Sequence, residues 1–162
     1  FRMWDYVTTE LPGLVGEACP LDMQRQSIMG HSMGGHGALT IGLTHPGRFA
    51  AISAFAPIVA PMQVPWGIKA FTSYLGEDRS SWAAHDACQL LRDSQIDLPP
   101  ILIDQGEADN FLAEQLRTDL LEAEIRGRDI TVRRQIGYDH SYFFIASFIG
   151  EHLAWHAKRL GG

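Results

Sequence analysis

Gly30-His31-Ser32-Met33-Gly34 constrains this chain more than any other stretch, because it falls where a buried strand gives way to a helix. Ser27-Ile28-Met29 is a short apolar run that reads as the end of that strand, and Met33 to Thr44 reads as the helix. A strand that turns at once into a helix around a serine needs neighbours without bulk. Glycines at 30 and 34 supply them, and Gly35 extends the series. The serine hydroxyl is then held proud of the sheet, at the positive end of the helix, where a nucleophile would stand. The plain alternative is a glycine-rich helix start with Ser32 as its N-cap. The strand ahead of the motif favours the nucleophile.

The rest of the chain continues the alternation. Met3 to Val15 carries a helical apolar face, interrupted at Pro12-Gly13. Helix 33–44 stops at His45-Pro46-Gly47, and Phe49 to Ala56 is the next strand, closed by Pro57. Ala60 to Gly76 reads as an irregular excursion bearing Trp66, Phe71 and Tyr74, and Ser80 to Arg92 as a helix. Ile101 to Ile103 and Ile130 to Ile136 are the third and fourth strands. Between them Leu112, Leu116, Leu120, Leu121 and Ile125 mark an amphipathic helix ending at Gly127; Tyr142 to Leu160 is the last helix. Strands alternating with helices, without hairpin signals, predict an α/β fold with a mostly parallel sheet flanked by helices on both faces.

A chain of 162 residues is one domain or part of one, and 46% hydrophobic with 20% charged residues excludes a disordered tail. A net charge of −6 argues against a nucleic-acid or anionic-membrane surface, both of which want clustered positive charge. No apolar run is long enough to span a bilayer. Cys19 and Cys88 have no metal-type spacing and read as free, buried thiols in a reducing, hence cytoplasmic, compartment. No ligand cluster calls for a metal or organic cofactor. The chain opens at Phe1 in what reads as the middle of a helix, so the expectation is a fragment or processed product.

A serine nucleophile needs a base, and the base an orienting acid. In α/β-hydrolases these follow in the order serine, acid, histidine. Asp109 lies in the loop after the third strand, and His140 lies after the fourth, just before the last helix. Each has a plainer reading. Asp109 or Asn110 would cap a helix starting near Phe111, and His140 would be a surface loop histidine. Asp104 and Glu107 are rival acids, although Asp104 lies nearer the strand body, where a side chain faces sheet packing. Trp66 and Lys69 sit where loops cover the carboxyl ends of strands and ligands bind; otherwise Trp66 and Phe71 form a satellite core and Lys69 is a solvated charge.

Nearly the whole chain resembles the S-formylglutathione hydrolases, the esterase D group of α/β-hydrolases. The resemblance rests on Arg2-Met3-Trp4-Asp5-Tyr6-Val7, Gly30-His31-Ser32-Met33-Gly34-Gly35-His36-Gly37-Ala38-Leu39 and Ser53-Ala54-Phe55-Ala56-Pro57-Ile58. It continues through Pro65-Trp66-Gly67, Lys69-Ala70-Phe71, Tyr74-Leu75-Gly76, Asp104-Gln105-Gly106, Asp109, Phe111-Leu112 and Gly137-Tyr138-Asp139-His140-Ser141-Tyr142. It implies Ser32 as nucleophile, Asp109 as acid, His140 as base and the Met33 N–H as one oxyanion donor. It implies cleavage of S-formylglutathione to glutathione and formate; if Lys69 lines the site and is not a solvated charge, it would pair with a glutathione carboxylate.

The chain departs from the family in two ways. Gln63-Val64 stands where the family usually has Asn-Cys. Family members also begin with several strands that have no counterpart here, so residues 1–162 are expected to form a single partial domain, the C-terminal part of the hydrolase fold. The second oxyanion donor belongs to that upstream region. A homodimer or a companion N-terminal chain is expected to cover the sheet edge left open. The competing readings are a general small-acyl carboxylesterase and an inactive fragment or non-catalytic module.

Overall fold

The computed structural model describes residues 2–161; Phe1 and Gly162, the two ends of the expected unit, lie outside the described residues. The chain opens with α1 (Met3–Asp5), a π-helical turn (Tyr6–Glu10) and α2 (Leu11–Ala18), which run on without the break expected at Pro12-Gly13. Proline lacks an N–H, so the Thr8 carbonyl has no partner four residues on. Arg48 Nη2 donates to that carbonyl at 2.6 Å instead.

Next come β1 (Gln26–His31), α3 (Met33–Thr44), β2 (Phe49–Phe55), α4 (Pro65–Leu75) and α5 (Ala87–Asp93). After them follow β3 (Ile101–Gly106), α6 (Thr118–Glu122), β4 (Ile130–Gln135) and α7 (Tyr142–Arg159). The four strands pair in the order β1-β2-β3-β4, every pair parallel. Parallel neighbours require a crossover, and a helix is present in each one.

Alternation along the strands assigns the two faces. Ile52, Ala54, Ile101, Ile103 and Ile130 join Leu39 and Leu43 of α3, Leu91 of α5 and Leu121 of α6 in one core. Phe55, on the opposite face, packs with Phe144 of α7. Helices therefore cover both faces, as the alternation predicted.

Three helical readings need correction. Ala60 to Gly76 is not irregular: a 3-10 turn (Pro61–Gln63) leads into α4. Pro65 occupies the first turn of α4 after an extended Val64, so a proline that reads as a loop signal opens a helix. The stretch from Ser80 to Arg92 is broken at Asp86, whose carboxylate caps α5 through the Gln89 N–H and also takes the Met62 N–H. The helix read from Leu112 to Gly127 is a π turn (Leu112–Leu116) and α6, separated by Arg117 at φ +50°. Both thiols are free as expected, but only one is buried. Cys88 is buried, and burial pushes its thiol up to about 12, with Asp86 and Glu124 adding to the shift; Cys19 is exposed.

A polar seam pins α7 to the sheet. Ser53 Oγ lies 2.7 Å from His156 Nε2 and 2.9 Å from His152 Nδ1. His152 Nε2 stands 3.4 Å from Asp104, which accepts both arms of Arg133 at 2.5 and 2.6 Å. Burial, with His152 and Arg159 close by, lowers His156 to about 4, and its Nδ1 has no hydrogen-bond partner among the described residues. Because the folded value lies below the unfolded 6.5, the unfolded chain takes the proton first. The stabilisation is complete above pH 6.5 and is lost as pH falls toward 4. His156→Gln should melt below the parent at pH 7.5, by a difference on the order of 2 kcal/mol that closes by pH 4.5. Melting curves over that range check it; a gap independent of pH would show that His156 does not carry this dependence.

Candidate active site

The elbow is built as tightly as the sequence requires, though not at every glycine. A Cβ on Gly30 would lie 2.1 Å from the Gly34 carbonyl oxygen, and one on Gly35 3.1 Å from Pro57. A Cβ on Gly34 would meet nothing within 4 Å, so the expected need for glycine there is not one of space. Ser32 itself takes φ +55°, ψ −117°, a strained conformation for a residue with a side chain. Its N–H donates to the Phe55 carbonyl at 2.8 Å, and its carbonyl accepts the His36 N–H at 2.9 Å. The side chain is thereby left pointing out of the turn, with the N–H of Met33 among the first-turn donors that α3 itself cannot satisfy.

Two further loops converge on it. Gly106 ends β3 against the loop after β4: a Cβ there would stand 2.3 Å from the Tyr138 carbonyl oxygen. The backbone N–H groups of Glu107 and Ala108 donate to Gln135 and Tyr138 at 3.0 and 2.9 Å. The loops carrying Asp109 and His140 are therefore laced together. His140 Nε2 lies 2.8 Å from Ser32 Oγ, and His140 Nδ1 lies 2.6 Å from Asp109 Oδ2. The Asp109 carboxylate is fully buried, while the histidine ring keeps 19% of its surface exposed. A carboxylate only accepts, so it fixes the proton on Nδ1 and leaves the Nε2 lone pair facing the serine.

Asp109 Oδ1 also accepts the Phe111 N–H at 2.8 Å, a contact that lies ahead of the π turn and does not make Asp109 its cap, since Phe111 takes the N-cap position without a side-chain bond. Asn110 and Glu107 are exposed. Asp104 is wholly buried in the seam under α7, away from His140.

Sequence reasoning missed the walls around the histidine. The His31 ring lies 4.6 Å from that of His140, and Phe111 meets it edge-on at 5.2 Å. Burial lowers the pKa of His31, and His140 lowers it further against a smaller opposing pull from Asp109. Adjacency to Ser32 and Asp109 in the sequence was the available signal for both walls.

Beside Ser32 opens a cavity of about 450 Å³ with an apolar lining that includes Met33, Ile58, Trp66, Phe71 and Tyr74. Trp66 is thus at the site, supported by Phe111 at 4.8 Å. Lys69 is not in this cavity. It is exposed and lines an adjoining shallow depression with Trp66, Ser73 and Tyr74. No helix among the described residues is long and apolar enough to cross a membrane.

The chain is 51% identical to the S-formylglutathione hydrolase of Paracoccus denitrificans, over 99% of its own length and 58% of the relative's. It superimposes with a TM-score of 0.93 on the structure of an S-formylglutathione hydrolase from Agrobacterium tumefaciens, at 54% identity, covering 98% of this chain and 58% of that one. A fluorophosphonate-binding serine hydrolase of Staphylococcus aureus shares the fold, with a TM-score of 0.75 at 24% identity over 94% of this chain and 62% of that one. The chain thus spans less than two thirds of the length of these relatives. The Esterase family model matches residues 2–155. That match takes in all four strands together with the loops carrying Ser32, Asp109 and His140, and the chain belongs to the esterase family.

Proposed function

We propose that this chain is the catalytic C-terminal part of a serine hydrolase that cleaves S-formylglutathione to glutathione and formate. The observation that carries the reading is the run of contacts Asp109–His140–Ser32, at 2.6 and 2.8 Å, beside an apolar cavity. His140 Nε2 accepts the Ser32 proton as Oγ attacks the formyl carbon, and the oxyanion meets the Met33 N–H at the start of α3. Asp109 holds the imidazole tautomer and stabilises its cation. The tetrahedral species collapses with loss of the glutathione thiolate, a good leaving group because free thiols ionise near ~8.5, and His140 gives its proton to that sulfur, so glutathione departs and the neutral imidazole is restored. A water that gives its proton to His140 then attacks the formyl-serine ester, and collapse releases formate and returns the proton to Ser32. The names of the two relatives above half identity support glutathione as the leaving group, and exposed Lys69 beside Trp66 suits one of its carboxylates. The cavity exceeds the needs of a formyl group, which favours small-acyl esters as additional substrates.

Full activity requires more than residues 1–162 in this reading, because a second oxyanion donor comes from beyond them. β1 pairs on one side only among the described residues, with Met29 38% exposed, and the same upstream segment or a second copy of the chain would cover that edge. The test is to assay the complete protein and residues 1–162 side by side on S-formylglutathione and p-nitrophenyl acetate. The complete protein should favour the thioester by at least about tenfold in kcat/KM, since binding of the remote glutathione portion is used in the transition state. Residues 1–162 alone should be slower by roughly 10²–10³ or more, the cost of one lost oxyanion donor. A preference for the acetyl ester would favour the general carboxylesterase. Turnover by residues 1–162 within about tenfold of the complete protein would remove the need for the second donor.

A further inference from the structure

We propose that Gln105 and Thr118 are positioning residues for the Asp109 carboxylate, an inference that rests on reading Ser32, His140 and Asp109 as the catalytic set. Both side chains are fully buried. Gln105, at the end of β3, places Nε2 3.0 Å from the Gly106 carbonyl and 3.4 Å from Asp109 Oδ2, and its Oε1 2.8 Å from Thr118 Oγ1.

Chemistry fixes the direction of every bond in this chain. A carbonyl and a carboxylate only accept, so the amide nitrogen must face them. The amide oxygen must then face Thr118, whose hydroxyl has to donate. The order is therefore Thr118 to Gln105 to Asp109, with no alternative orientation that satisfies all members. The carboxylate is held at three points: Oδ1 by the Phe111 N–H, Oδ2 by His140 Nδ1, and Oδ2 again by Gln105. With the first two alone, the carboxyl group could swing about the Phe111 contact. The amide limits that freedom through a second contact on Oδ2, and its 3.4 Å length suits a stop more than a strong bond.

The backbone around Thr118 is irregular in a way that serves this contact. The π turn Leu112–Leu116 and Arg117 at φ +50° replace the continuous helix that the leucine spacing predicts, and they leave Thr118 beside Gln105. A non-glycine residue in the left-handed region costs on the order of 1 kcal/mol, so the surroundings must hold it there. The same segment reaches the cavity wall, where Gln115 Oε1 accepts the Trp66 N–H at 3.0 Å at the start of α4. One irregular segment thus reaches both the acid and the helix bearing Trp66.

The test compares Thr118→Val, which keeps the shape and loses the donor, with Thr118→Ser, which keeps the donor. In the complete protein, T118V should lose about tenfold in kcat with KM within about twofold, and T118S should recover to within about threefold of the parent. The second-order rate of Ser32 labelling by a fluorophosphonate should follow the same order, and the downfield proton resonance of His140 Nδ1 should persist in T118S and broaden in T118V. Gln105→Met, close in shape and without an amide, gives the same kcat loss if T118V does not fold. Unchanged kcat in folded T118V, or T118S as impaired as T118V, would overturn the positioning role while leaving the hydrolase reading intact. Absence of Ser32 labelling in the parent would overturn both.

Discussion

Replacing Ser32 by alanine is expected to lower thioester and ester hydrolysis by the complete protein about 10⁶-fold, with its melting temperature unchanged to within a few degrees. The two halves of this expectation have separate physical grounds. Activity is lost because the Ser32 hydroxyl is the one group His140 Nε2 is placed to deprotonate, at 2.8 Å. Stability is kept because the turn is held by the backbone of residue 32, through the Phe55 carbonyl and the His36 N–H, and both contacts survive in alanine. The strained φ of +55° is no worse for alanine than for serine. A serine-directed fluorophosphonate followed by peptide mass mapping should modify Ser32 in the parent and nothing in S32A. Turnover by the variant within about 10²-fold of the parent, or labelling at another serine, would move the nucleophile elsewhere.

The parts of this site legible in the sequence are those where one residue type has a single structural use. Gly30 ahead of Ser32 is such a case, because its Cβ would collide with the Gly34 carbonyl. The strands were legible for a similar reason: Ile52, Ala54, Ile101 and Ile103 form short buried runs that a parallel sheet needs. The helical connections were less so. Pro65 signals a loop or a first helical turn with equal force, and only the pairing of α4 with the preceding 3-10 turn decides between them. The leucine spacing from 112 to 120 is truly helical, yet Arg117 at φ +50° interrupts the helix inside it, and the next residue, Thr118, bonds to buried Gln105, a tertiary contact that the spacing does not signal. Residue type alone also fails at the second serine–histidine–aspartate array of this protein. Ser53, His152 and Asp104 have the same chemistry as the proposed catalytic set, but all three are fully buried, and they join α7 to the sheet.

That pairing of two arrays makes the acid a sharp test. Asp109→Asn should lose about 10⁴-fold in kcat, because the amide can present its NH2 to His140 and so favour the tautomer with the proton on Nε2, which cannot accept one from Ser32. The fold should change little, since the Asn side-chain oxygen can still accept the Phe111 N–H that Asp109 Oδ1 takes at 2.8 Å. Asp104→Asn should do the reverse. Burial by itself would raise the Asp104 carboxyl, but the polar contacts from His152 and Arg133 outweigh it and hold the group below its ordinary value. It is therefore an ion in the folded protein. Neutralising it leaves Arg133 with Glu151 as its remaining ion-pair partner and removes the carboxylate charge 3.4 Å from His152 Nε2. Breaking a buried pair costs roughly 3–5 kcal/mol, and the 30% exposure of the Arg133 side chain brings the expected loss nearer 2 kcal/mol, or about 5 °C in melting temperature. Its kcat at 25 °C should stay within about tenfold of the parent, because the Asp104 carboxylate bonds to Arg133 and faces His152, not Ser32 or His140. The opposite ranking, with D104N inactive and D109N merely less stable, would assign the catalytic acid to the seam beneath α7.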